Sequence, residues 1–176
     1  VANSDAAFDL TVIGSGPGGY VAAIRAAQLG LKTAVVEMAP LPGGTCLHWG
    51  CIPTKALLHA AEVLETSRHA GRFGVKMAPG ELDVAGLHKY KDKVVMSNAK
   101  GVEYLLKKGG ITIVPGRGRL AGPGKVAVAQ AGGGTKTIST KFTIVATGSV
   151  IRGLPGVEFD GKQIINSDHA LGLKSV

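Results

Sequence analysis

Apolar and polar positions change period several times along this chain, and each change marks a predicted element. Phe8-Asp9-Leu10-Thr11-Val12-Ile13 is a short, nearly continuous apolar run and reads as a buried strand. From Gly18 to Leu29 the apolar positions and alanines suit a tightly packed helix, which Gly30 ends. Lys32–Glu37 returns to strand character and closes in an acid. A further helix is predicted from near Pro53 towards Leu64. Val84, Leu87, Val94, Val95, Val102, Leu105 and Leu106 approximate one stripe of a long helix, with Asp83 placed to cap it and its end at about Lys108. Ile111–Val114 is the next strand. Lys125–Gln130 and Thr135–Thr140 read as hairpin arms joined through Gly132-Gly133-Gly134, and Phe142–Val145 as another buried strand. This order predicts an α/β fold: a parallel sheet, flanking helices and a small antiparallel β meander at about residues 115–141. No internal repeat is visible.

Composition narrows the class. A chain of 176 residues with 45% hydrophobic content can bury one substantial core. Its 27 glycines are roughly twice the ~7% share of ordinary chains, so many backbone positions are under special geometric demand. The formal net charge is +8, but the basic residues are scattered apart from Lys89–Lys93 and Lys107–Lys108, so nucleic acid is not an expected partner. No window reaches the ~18 apolar residues of a membrane span, and no secretory segment is seen, so neither a membrane association nor secretion is expected. The first residue is Val1, and a missing upstream piece is expected. Two cysteines do not make a secreted disulfide scaffold, which favours a reducing compartment.

Gly14-Ser15-Gly16-Pro17-Gly18-Gly19 matches G-x-G-x-x-G between a predicted strand and a predicted helix. In that context Gly14 allows the tight turn, Gly16 lets the backbone approach a pyrophosphate, and Gly19 permits close helix–strand packing. The helix start presents free N–H groups and its positive dipole end to phosphates. Glu37, 18 residues beyond Gly19, is placed to accept hydrogen bonds from ribose hydroxyls. The competing reading is a glycine turn with no ligand. The motif alone does not separate FAD from NAD.

Cys46 and Cys51 are the only cysteines. Five residues apart on an ideal helix, they point about 140° from each other, whereas a bridge needs Cα atoms within roughly 7 Å. A bridged segment therefore cannot be regular helix throughout. Gly50 supplies flexibility, Pro53 suits a first helical turn, and Cys51 then lies near a helix N-terminus, where the dipole favours a thiolate. Three readings stand at this point: a redox-active disulfide, a metal site using Cys46, His48 and Cys51 with too few ligands in view, and inert buried thiols. His48 and Trp49 read as packing or surface residues.

Gly43-Gly44-Thr45-Cys46, then Gly50-Cys51-Ile52-Pro53-Thr54-Lys55, following the glycine fingerprint and Glu37, resembles the pyridine nucleotide–disulfide oxidoreductases. The Ile52–Leu58 continuation looks most like the dihydrolipoamide dehydrogenase branch, with glutathione and mercuric reductases as near relatives. The resemblance implies a Rossmann-like FAD-binding domain spanning 1–176. FAD would lie along Gly14, Gly16, Pro17, Gly18 and Gly19, and along Glu37 to Gly43, Gly44, Thr45 and Cys46. It implies a Cys46–Cys51 disulfide, with Cys51 beside the flavin and Cys46 exchanging with substrate. Lys55 would stabilise negative charge on the flavin ring, a structural ion pair being the alternative. Gly118 would make a backbone contact with adenine, the alternative being a plain turn. Ala146-Thr147-Gly148-Ser149 resembles the family's second FAD motif, and Asn166–Leu171 its segment leading towards a nicotinamide domain. No metal is implied, and the glycine run at 132–134 is assigned no chemistry.

Two departures qualify the resemblance. His48-Trp49 stands where Asn-Val is common, which bears on access to the disulfide. The second glycine fingerprint and the His–Glu pair of an interface domain are not in the sequence; none of His48, His59, His69, His88 or His169 has the matching surroundings. The expectation is thus the FAD-binding portion of an enzyme, with NAD-binding and dimer-interface domains absent and no turnover by itself. The complete protein would be a homodimer in the bacterial cytoplasm or mitochondrial matrix. It would oxidise dihydrolipoamide, on lipoyl domains of 2-oxoacid dehydrogenase complexes, with NAD+ as acceptor. The rivals are a glutathione- or mercuric-type reductase and a non-enzymatic FAD-binding module.

Overall fold

β1 (Phe8–Ile13) runs at the centre of a six-stranded sheet because its side chains are buried on both faces: Thr11 and Val12 are fully buried, Leu10 and Ile13 nearly so. The computed structural model describes residues 7–175. The strand order is β3-β2-β1-β6-β5-β4, with β2 at Thr33–Glu37, β3 at Thr112–Pro115, β4 at Arg117–Leu120, β5 at Lys125–Ala129 and β6 at Thr135–Val145. β3, β2, β1 and the second half of β6 are parallel, with Val12 opposite Val35 on one side and Ile144 on the other. The α/β expectation is met.

The chain divides into two compact units. The first contains the described part of Val1–Cys46 with Asn98–Val150. Its core joins Ile13, Ala34, Val36 and Val114 of the parallel strands to Val126, Val128 and Ile138 of the meander. Each of these valines and isoleucines contributes about 1.5–3 kcal/mol of transfer free energy. α1 (Pro17–Gln28) carries Pro at its first position and buries Gly19, Ala23 and Ala26. Small residues on that face let it lie close.

Two elements differ from the pattern read in the sequence. Thr135–Thr140 and Phe142–Val145 are one strand. Its first half pairs antiparallel with β5 (Val126 opposite Ile138), and its second half pairs parallel with β1 (Leu10 opposite Phe142). The polar break at Lys141 is absorbed by an ion pair across the seam, Nζ 2.7 Å from Asp9 Oδ1. That hydrogen bond, with a second from the Lys32 amide, holds the Asp9 carboxyl below the usual carboxylate range. The second difference is β4, a strand within the expected meander that the sequence reading did not delimit. It pairs with β5 through Gly118 and Val128, and its sole apolar side chain, Leu120, is exposed, so burial left no periodic signal there. Gly118 has no side chain for a reason: a Cβ would stand 2.8 Å from Ile13 Cγ2 and 3.1 Å from Val36 Cγ1.

The second unit is Leu47–Ser97 with Ile151–Val176. It holds all of α3 (Cys51–Arg68), the first part of α4 (Val84–Lys108) and α5 (Ser167–Leu171). α3 begins two residues earlier and ends four later than the sequence suggested, and a 3-10 turn at Ala70–Phe73 follows it. Asp83 does precede α4, its carbonyl accepting from the Leu87 N–H. Asn166 and His169 cap α5 reciprocally. On α4, His88 and Lys91 reach the carbonyls of Leu173 (2.6 Å) and Leu171 (3.0 Å). Among the described residues no helix is long and apolar enough to cross a membrane.

Candidate functional site

The glycine turn is shaped by backbone collisions that only glycine avoids. Gly14 has φ +97°, and a Cβ on it would lie 2.3 Å from the Ala146 carbonyl oxygen; its N–H donates to Val36 O (2.8 Å). A Cβ on Gly19 would lie 1.9 Å from the Gly14 oxygen. At Gly18, by contrast, a Cβ would have nothing within 4 Å, and Pro17 and Gly18 are exposed. The turn is therefore closed on its protein side and open at the helix start, an arrangement that can accept an anion at free backbone N–H groups. Ala146 belongs to the same turn, its N–H donating to Ile13 O (2.9 Å), while Thr147, Gly148 and Ser149 are exposed.

Glu37, at the end of β2, is almost fully buried and already hydrogen-bonded. Its Oε2 accepts from the Ser15 N–H (2.9 Å) and the Ser15 hydroxyl, and its Oε1 from the Ala39 N–H (2.8 Å). Sequence reasoning passed over Ser15, since the motif leaves its position free. Ser15 also binds the loop before the first cysteine: the Gly43 N–H donates to Ser15 O at 2.9 Å. Beside it Gly44 has φ +62°, and a Cβ there would lie 2.6 Å from Gly16 Cα. The glycine turn, the acid and the Gly43-Gly44 loop thus form one hydrogen-bonded and close-packed group.

A cavity of about 570 Å³ opens next to this group, lined by Glu37–Pro40, Pro115, Gly116 and the 130–133 loop. The glycine run assigned no chemistry contributes Gly132 and Gly133 to its wall. Gly118 lies in β4, packed on Ile13 and Val36.

Cys46 and Cys51 are disulfide-bonded. Cys46 lies in α2 (Gly44–Trp49) and Cys51 is the first residue of α3; Gly50 between them (φ −146°, ψ −108°) breaks the helix. That break is what the spacing required of a bridged pair, and the bond removes both sulfurs as metal ligands. Among the described residues no group of three or more His, Cys, Asp and Glu could hold a metal ion. Cys51 is exposed at the N-terminal end of an 18-residue helix, where a released thiolate is favoured. Lys55, one turn along α3, is exposed, as is Thr54. The rings of His48 and Trp49, between the cysteines, have centroids 5.2 Å apart and are tilted by 48°.

The profile described as pyridine nucleotide-disulphide oxidoreductase matches residues 8–176. The chain belongs to that family. Within the family it is dihydrolipoyl dehydrogenase-like. The dihydrolipoyl dehydrogenase of Chlorobaculum tepidum is 49% identical over 171 residues, which cover 97% of this chain and 36% of the relative. That of Bacillus subtilis is 49% identical over 177 residues, covering 96% and 37%. A leghemoglobin reductase of Vigna unguiculata is 46% identical over 169 residues, covering 96% and 32%. The crystal structure of LpdA from Mycobacterium tuberculosis superposes with a TM-score of 0.83 at 25% identity, over 94% of this chain and 37% of that one. The chain spans about a third of the length of these relatives.

Proposed function

We propose that this chain is the FAD-binding, disulfide-bearing portion of a dihydrolipoyl dehydrogenase. The observation that carries the reading is the Cys46–Cys51 disulfide at the helix break, joined through Gly43 to a glycine turn whose open side is bare of side chains. Gly14, Gly16, Pro17, Gly18 and Gly19 would hold the diphosphate, Glu37 the adenosine ribose, and Gly43, Gly44 and Thr45 the stretch towards the flavin. Gly118 and Ala146–Ser149 would complete the walls, and Lys55 would face the flavin ring. The donor set suits such a group: backbone N–H groups at a helix start for phosphate, and a hydrogen-bonded carboxylate beside a cavity of dinucleotide scale.

The chain's own chemistry is thiol–disulfide exchange. A dihydrolipoamide thiolate attacks Cys46 Sγ and displaces Cys51 as a thiolate at the start of α3. The second substrate thiol then closes the lipoamide disulfide and releases Cys46. Two electrons and two protons leave the substrate, and the Cys46–Cys51 bond is reduced. FAD, when bound, would supply the two-electron acceptor chemistry beside Cys51, and NAD+ would be the final acceptor in the complete enzyme. The partners would be lipoyl domains of 2-oxoacid dehydrogenase complexes and a second subunit. Nicotinamide-binding and interface regions would belong to the relatives' further length, so this span would bind FAD without turning over.

The test is an anaerobic titration of the chain with FAD and then dithiothreitol, followed by visible absorption. Bound flavin with a new long-wavelength thiolate–flavin band is the expected result, and Cys51→Ser should remove that band. Flavin that binds while the disulfide reduces without the band would sink the placement of Cys51. NADH formation from dihydrolipoamide by the chain alone would overturn the statement that this span lacks turnover.

A further inference from the structure

Ser15 occupies a position that the nucleotide motif leaves to any residue, yet it is completely buried and all its polar groups are engaged. Its N–H and its hydroxyl both donate to the same oxygen, Glu37 Oε2, and its carbonyl accepts from Gly43. The hydroxyl oxygen also lies 3.4 Å from the Gly43 N–H. Two donors on one carboxylate oxygen, and the Ala39 N–H on the other, fix the plane of the carboxylate. Each carboxylate oxygen has capacity for about two hydrogen bonds. Oε2 is therefore filled by Ser15, while Oε1 has one bond and room for another. Glu37 is also among the residues that line the 570 Å³ cavity.

We infer that Ser15 is a positioning residue, which turns Glu37 so that Oε1 is presented to a ribose diol in that cavity. The inference rests on the nucleotide reading above and goes beyond it in assigning the work of orientation to one hydroxyl. Alanine at this position would keep the backbone bonds to Glu37 and Gly43 and delete only the hydroxyl. The buried carboxylate would then keep one backbone donor on each oxygen, the Ser15 N–H on Oε2 and the Ala39 N–H on Oε1, and lose the hydroxyl that fixes its tilt. The loss falls on recognition of the ribose hydroxyls, while phosphate binding at the start of α1 continues.

Isothermal titration of the 176-residue chain with ADP and with 2′,3′-dideoxy-ADP reads this directly, because the two probes share the diphosphate and adenine. The unsubstituted protein is expected to prefer ADP by about tenfold or more, as for a hydrogen bond to a charged acceptor. Ser15→Ala should bring the ratio to within about twofold, as should Glu37→Gln, and the double substitution should add little. Should Ser15→Ala fail to fold, Ser15→Cys, a similar shape and a weak donor, takes its place. An unchanged ratio in the Ser15 variant overturns the inference, and so does an equal weakening of both probes together with a lower melting temperature. No ADP binding by the unsubstituted chain would remove the nucleotide reading itself, and this inference with it. ADP binding with the ratio intact in Ser15→Ala would remove only the role of Ser15.

Discussion

Gly18 and Gly19 are neighbours in sequence and in the same helix, and the structure assigns them opposite responses to alanine. At Gly19 a Cβ would stand 1.9 Å from the Gly14 carbonyl oxygen and 2.9 Å from its carbon. Real Cβ atoms essentially never approach below 3.0 Å, so the start of α1 must move by about 1.1 Å. The obstacle is backbone and cannot rotate aside. That movement strains the Gly19 and Tyr20 N–H bonds to Gly16 O, now 2.8 and 2.9 Å. Overpacking a well-packed site costs about 1–3 kcal/mol, and an immovable carbonyl places Gly19→Ala near the upper end, about 3 kcal/mol. At Gly18 the added methyl meets nothing within 4 Å, and alanine is the better helix former, so Gly18→Ala should gain up to about 1 kcal/mol. For a chain of this size 1 kcal/mol shifts Tm by about 2–4 °C. Gly19→Ala should therefore melt about 6–12 °C lower, and Gly18→Ala a few degrees higher. Urea unfolding at constant m-value is the assay. A Gly19→Ala protein within about 1 kcal/mol of the unsubstituted one would refute the reasoning, because the turn could then open at little cost. A stabilised Gly18→Ala protein with weaker ADP binding would separate phosphate approach from folding.

Three further outcomes are expected. The Thr11 hydroxyl is buried without a hydrogen-bond partner among the described residues, so Thr11→Val, of the same shape, should stabilise by about 1 kcal/mol, read as a higher urea midpoint. Gly118→Ala should cost about 1–3 kcal/mol through contact with Ile13 and Val36, and a neutral result would show that the meander can lift off β1 and β2. The carboxyl of Asp9 titrates below its ordinary value of 3.8, chiefly through Lys141. Its stabilising contribution is complete above that ordinary value and lost as pH falls through the lower folded one. Urea midpoints of Asp9→Asn and the unsubstituted protein should therefore differ near neutrality and converge as pH falls through the lowered folded value; parallel curves would show that the ion pair does not form in solution.

Much of the fold was legible because burial imposes a period. β1 was read residue for residue, α1 and β5 to within a residue or so, and the glycine turn from its spacing. The continuity of β6 was not, since a lysine inside an apolar run reads as a break unless Asp9, far away in sequence, is known to face it. β4 left no mark because its stability comes from a backbone ladder that side chains do not report. At the site, Glu37 was found by its distance from Gly19. Ser15 was not, because a buried hydroxyl bonded to a residue 22 positions away has no local pattern. The disulfide was readable only as a possibility; Gly50 gave the geometry its permission, and the family resemblance its direction.

The seam between β1 and β6 also has a consequence for the order in which the protein is made. Phe8 pairs with Thr140 and Ile13 with Val145, so the central strand is synthesised first and meets one of its two neighbours last. At roughly 5–20 residues per second, the 132 residues between Ile13 and Val145 take about 7–26 s to translate. Throughout that interval one edge of β1, apolar and fully formed in sequence, waits without its ladder. A nascent chain stalled before residue 140 should present that edge to chaperones, whereas one stalled well beyond residue 145 should not.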